Sequence, residues 1–234
     1  MYKTLLAGGI EMDRFLSLDS PVMRALSIVA DLVFLNLLWL VCCIPVVTIG
    51  ASTTAMYTVA LKLAKGDDGY VVRRFFKAFK QNFKQATIIN LVVCVFAAII
   101  AVDYYIYTHG GVVPAPMLIL LMVVTLLLVI FLSWVYPVLA QFDNTIKNTC
   151  KNAFAMSIVH LPFTVIITVM NLVCPVLFLF FTEMFVKWMI AWILLGGSAI
   201  AYVNSFALNH CFKRYIPQEI LDEEESAING IPMA

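Results

Sequence analysis

The feature that most constrains this chain is a series of apolar runs, each about as long as a bilayer is thick. A membrane-crossing helix needs about 20 mainly apolar residues. Four runs meet that length: Leu26–Cys43, Thr87–Tyr107, Pro116–Leu139 and Ser157–Phe181. A fifth, Phe185–Leu208, follows after the short turn Thr182-Glu183-Met184. Composition agrees, since 63% of the residues are hydrophobic and 12% charged, against about 45–50% and about 25% in soluble domains. So few polar side chains do not make a water-facing shell.

A sixth segment, Val46–Lys65, is weaker and rich in small and hydroxyl residues. Charge placement tests it, because cytoplasmic loops carry an excess of Lys and Arg beside the spans. If it crosses, Lys3, Arg14, Arg24, Lys62, Lys65 and the cations of residues 73–84 share one side. Lys147, Lys151, Lys213 and Arg214 join them, and Lys187 alone is opposite. If it does not cross, the first three change sides and the asymmetry weakens. Six crossings with both termini cytoplasmic are therefore favoured. Pro45 should end the first helix. Gly50 then loosens the backbone, so a second helix is expected to start near Ser52 or Thr53, with Val46–Ala51 partly extended. Non-helical backbone at membrane depth is tolerated where it is buried in protein or lines a cavity, which makes this segment a candidate site.

The expected fold is an all-α integral membrane bundle of about six transmembrane helices plus a cytoplasmic amphipathic interfacial helix. That last helix comes from residues 70–85, where Phe75, Phe76, Phe79 and Phe83 recur at helical spacing among Arg73, Arg74, Lys77, Lys80 and Lys84. Basic heads of this kind meet anionic lipid while the rings enter the acyl boundary. Asn144–Ser157 repeats the pattern faintly, either as an internal repeat or because inside loops look alike. Residues 1–215 read as one membrane domain and 216–234 as an acidic, flexible cytoplasmic tail. No cleavable signal peptide is expected, because the first apolar run follows acidic residues and Pro21 without a short h-region.

Ionisable groups inside spans are functional candidates. Asp31 is the clearest, and Asn36 follows about 140° around the helix at ~3.6 residues per turn. The two therefore do not share a tight face, and for Asp31 a solute or proton contact and a polar clamp between helices are both open. Thr48, Gly50, Ser52, Thr53 and Thr54 form a small-residue face, read either as close helix packing or as a half-helix end aimed at a polar ligand. Asn90, Asn171 and Asn204 read as glue between helices. Pro137 and Pro175 are expected to kink or end their spans. Tyr104, Tyr105 and Tyr107 form an interfacial belt beside Asp103 and His109, and His160 reads as locally satisfied. The six cysteines show no CxxC pair and no zinc spacing, so no metal and no cofactor is expected. Nor is there a nucleophile elbow, an HExxH, a Walker loop or a carboxylate pair with a nearby base, and the chain is not expected to be an enzyme. A formal net charge of +1 gives no bias toward nucleic acid.

Three stretches carry a resemblance. The run from Asp19-Ser20-Pro21 through Asp31-Leu32 and Asn36-Leu37-Leu38-Trp39 to Ile44-Pro45, Gly50 and Met56-Tyr57 resembles the opening of the YesL family of bacterial membrane proteins. Gly69-Tyr70, Arg73 and Phe75–Thr87 look like its second signature, and Tyr136-Pro137, Phe142-Asp143 and Lys151-Asn152-Ala153 like a weaker third. The resemblance implies a bacterial cytoplasmic-membrane protein associated with carbohydrate utilisation, with no activity or catalytic residue to carry over. Two roles compete. One is an accessory or regulatory subunit for sugar uptake, meeting membrane lipids and docking a sugar ABC importer or a two-component sensor through Arg73, Arg74, Lys77, Lys80 and Lys84. The other is a small-solute transporter or channel using Asp31, Asn36, Thr48, Ser52 and Thr53.

Overall fold

The computed structural model describes residues 21–67, 69–109, 115–180, 187 and 189–217. The Asp19-Ser20 cap, Asp68, the Thr182-Glu183-Met184 turn and the acidic tail from 218 onward lie outside the described residues. Helix α1 is Pro21–Cys43, α2 Ile49–Ala64, α3 Val71–Thr108, α4 Ala115–Gln141, α5 Ile146–Val159 and α6 Leu161–Phe180. A π-helical turn at Trp192–Gly196 leads into α7, Gly197–Phe212. No strand occurs among the described residues. Five helices are long and apolar enough to cross a membrane, and a sixth if the bent pair α5–α6 counts as one span. The chain is an all-α, multi-pass membrane bundle.

Several boundaries differ from the sequence reading. Pro45 does end α1, but the chain does not run extended to Ala51. A 3-10 turn at Val46–Thr48 leads directly into α2 at Ile49. The Thr48 hydroxyl lies 2.6 Å from Cys42 O, one of the carbonyls freed at the end of α1, and 2.7 Å from Pro45 O. Gly50 sits inside α2 for a packing reason. A Cβ there would stand 2.6 Å from Ala86 O and 2.8 Å from the Asn90 Cβ. The expected span Ser157–Phe181 is broken at His160, where α5 and α6 meet at 106°. Pro162 follows at the start of α6, where a missing N–H costs nothing. Pro137 lies inside α4 and does not end it.

The basic stretch is helical as expected, and it is continuous with the span that follows. The 38 residues of α3 extend about 57 Å at ~1.5 Å per residue, nearly twice the ~30 Å hydrocarbon core. Helix α2 ends in a Schellman cap. Gly66 at φ 81° donates to Leu63 O at 3.0 Å, and Asp67 N donates to Lys62 O at 3.1 Å. Gly is the residue that adopts this left-handed position without strain. Arg74 then ties the loop to α3, its guanidinium meeting Asp67 Oδ1 at 2.6 Å and Asp67 O at 2.9 Å. With this short loop at one end and the Gly50–Ala86–Asn90 contact at the other, α2 runs antiparallel to residues 71–90 of α3.

The core is built around α2, which packs against α1, α3, α4 and α7. Ala51, Ala55 and Ala60 of α2, Leu35 of α1, Phe75 and Ala86 of α3, and Trp134 and Val138 of α4 are fully enclosed. By contrast, large side chains such as Leu26, Val41, Leu120 and Met122 face outward. Outward apolar surface of this extent is what lipid replaces water against.

Candidate functional site

The polar groups of the spans gather at two places inside the bundle. The first is the joint between α1 and the widened turn before α7. A π turn breaks the regular i→i−4 ladder and is frequent at functional sites. Here Asn36, fully buried, completes the ladder. Its Nδ2 donates to Ile193 O at 2.7 Å and to Trp192 O at 3.3 Å, and its Oδ1 accepts from Ser198 N at 2.9 Å. The Ser198 hydroxyl donates to Leu32 O at 2.7 Å. Gly197 allows the approach, since a Cβ there would lie 2.9 Å from the Trp39 ring and 3.1 Å from Asn36 Oδ1.

The hydroxyls of the former candidate segment join the same region through Trp39. Ser52 Oγ donates to Trp39 O at 3.0 Å, and Trp39 Nε1 donates to Thr53 Oγ1 at 3.2 Å. Thr54 Oγ1 donates back to Gly50 O at 2.9 Å. Asn36, Ser52 and Thr53 are therefore brought together around Trp39, and Thr48 caps the preceding turn. Asp31 is not part of this group. It is half-buried on α1, about 12 Å along the axis from Trp39 at ~1.5 Å per residue, and it has a partner of its own within the fold.

The second place is a chain of amides. Asn204 Nδ2 of α7 donates to Asn171 Oδ1 of α6 at 3.0 Å, and Asn171 Nδ2 donates to Ser133 Oγ of α4 at 3.1 Å. Tyr57 of α2 is buried beside both amides. Nearby, Asn90 Nδ2 of α3 donates to Val46 O at 2.9 Å while its Oδ1 accepts from Tyr136 at 3.2 Å. Asn209 Nδ2 donates to Leu61 O at 3.0 Å. Every amide named as glue crosses between helices. Trp134 donates to Thr164 at 3.0 Å, and His160 stacks on Trp134 while its Nε2 lies 3.2 Å from the Tyr215 hydroxyl.

The cations of α3 divide into two kinds. Arg74 is held by Asp67. Arg73, Lys77, Lys80 and Lys84 are exposed and repeat at the spacing of one helix face. The opposite face, Val71, Phe75, Ala78 and Ala86, is buried. Phe76 and Phe83 stand exposed beside the stripe. Among the described residues no three His, Cys, Asp or Glu side chains gather where a metal ion could be held.

Sequence reasoning missed Tyr57, Ser133, Tyr136, Thr164 and Ser198 as members of these networks. The signal was there in part, because hydroxyl groups inside apolar runs need partners in lipid. The π turn gave only the pair Gly196-Gly197 to read.

Residues 32–104 match the family described as "Protein of unknown function, DUF624". The uncharacterized protein YesL of Bacillus subtilis (strain 168) is 29% identical over 157 residues, which cover 64% of this chain and 74% of that one. No solved structure matches.

Proposed function

Taking this chain as a YesL-family protein of unknown function, we propose that it is a non-catalytic accessory subunit of a membrane assembly, docking its partner through the basic face of α3. The observation that carries this reading is the stripe Arg73, Lys77, Lys80 and Lys84, exposed on a helix whose other face is locked against α2. A rigid, positively charged ridge steers and orients an acidic partner surface. Exposed Phe76 and Phe83 add apolar contact at its edge. Around Trp39 and along the amide chain, by contrast, the named polar side chains bond to one another and to backbone. That favours the accessory role over a solute path through Thr48–Thr54. The context the family resemblance implies is carbohydrate uptake in a bacterial cytoplasmic membrane, with an ABC importer or a two-component sensor as partner and the ridge facing the cytoplasm.

The test is purification of the full chain from its native host in mild detergent. A stoichiometric membrane partner is expected with the wild type. It should be lost when Arg73, Lys77, Lys80 and Lys84 are all replaced by Gln, with expression and melting unchanged. Equal recovery of the complex with the four-Gln variant would contradict docking through this face.

A further inference from the structure

We propose that the groove between α3 and α4 binds one phospholipid whose headgroup carries a primary ammonium, with Asp103 as its counter-ion. The groove has a volume of about 290 Å³. Its walls are Phe96, Ile99 and Ile100 of α3 and Leu120, Leu121 and Val124 of α4, with Asp103 the one charged group among them. From Phe96 to Ile106 the lining follows α3 for about 15 Å at ~1.5 Å per residue. A slot that is long, apolar and parallel to the helices fits an acyl chain better than a compact solute.

The carboxylate sets the headgroup. Asp103 is half-buried, and a charge against apolar walls in a membrane is costly unless it is paired. Its own hairpin offers no Lys or Arg, because none occurs anywhere from residue 85 to 146. His109 is turned elsewhere, its Nδ1 lying 3.0 Å from Tyr105 O and 3.1 Å from Thr108 Oγ1. Exposed Tyr104, Tyr105 and Tyr107 flank Asp103 and mark the depth of the headgroups. A lipid chain lying in the groove thus brings its headgroup to the carboxylate. A primary ammonium meets it with charge and N–H donors. A choline headgroup brings charge without donors, and a glycerol headgroup brings hydroxyl donors but no cation to offset its phosphate, which the carboxylate repels.

The experiment is native mass spectrometry of the full chain released from micelles holding equal amounts of dioleoyl phosphatidylethanolamine, phosphatidylcholine and phosphatidylglycerol. One bound phosphatidylethanolamine is expected, retained about threefold over phosphatidylglycerol, the scale of a partly exposed ion pair. Asp103→Asn should abolish the preference and Asp103→Glu keep it. Leu121→Trp, which fills the groove, should lower phosphatidylethanolamine retention with the thermal melt unchanged. Equal retention of the lipids by the wild type would overturn the proposal. So would an unchanged preference in Asp103→Asn or unchanged retention in Leu121→Trp.

Discussion

Helices α2 and α4 are both apolar enough to cross a membrane, yet they live in different surroundings. In the most apolar stretch of Val46–Ala64, the 3-10 turn together with α2, 61% of the residues are buried inside the protein, against 17% in that of Pro116–Gln141 in α4. The difference lies in side-chain size and hydroxyl content. Residues 49–60 of α2 read IGASTTAMYTVA, and residues 118–130 of α4 read LILLMVVTLLLVI. Small residues let backbones approach closely, and in lipid that contact holds helices together where the hydrophobic effect does not. Helix α4 repeats the lesson within itself. Its outer part faces outward, while Ser133, Trp134, Val135, Tyr136 and Val138 near its end are buried. Apolarity marks a helix for the membrane, and small and polar residues within it mark the protein-facing side.

Substitutions that exchange the character of the two helices break or sharpen this contrast. Gly50→Leu should have the largest effect. Its side chain would meet Ala86 O, the Asn90 Cβ and the Tyr136 ring at once, and overpacking against backbone costs about 1–3 kcal/mol or more. The expected outcome is a sharp drop in the detergent melting temperature or loss of folded protein, and a wild-type melt would refute the close approach. Asn36→Ala should come next, at about 1–3 kcal/mol, because it strands two carbonyls and one N–H at the π turn. Denaturant melts that place it within error of the wild type would mean the turn closes without α1. Tyr136→Phe removes one interhelical hydrogen bond and should cost about 0.6 kcal/mol, and at most ~1.7. Leu120→Ala on the lipid face should stay within about 0.5 kcal/mol. A larger loss there would show that Leu120 packs against protein.

Most of the fold was legible because the bilayer imposes length and apolarity on each span. The helical basic stretch and the interhelical roles of Asn90, Asn171 and Asn204 were legible for the same reason, since amides in lipid must find partners. The start of α2 was not. Gly50 looked like a loosened backbone, and only the neighbouring surfaces of Ala86 and Asn90 show it to be a contact point. Asn36 reads as lying off the Asp31 face of α1, but nothing in the sequence names its partner, a widened turn more than 150 positions later. A π turn has no residue pattern that sets it apart from the helix around it. Arg74 read as one cation among five until its reach to Asp67 separated it from the exposed four.

The central claim is that α2 is enclosed by protein while α1 and α4 face lipid. Carbene footprinting of the wild-type chain in liposomes, with a diazirine confined to the acyl region, tests it most directly because it needs no substitution. The account predicts heavy labelling at Leu26, Val41, Leu120 and Met122, and little across residues 49–64. Labelling of Val59, Ala60 and Leu61 as dense as that of Leu120 would contradict it, by placing α2 against lipid as an ordinary span.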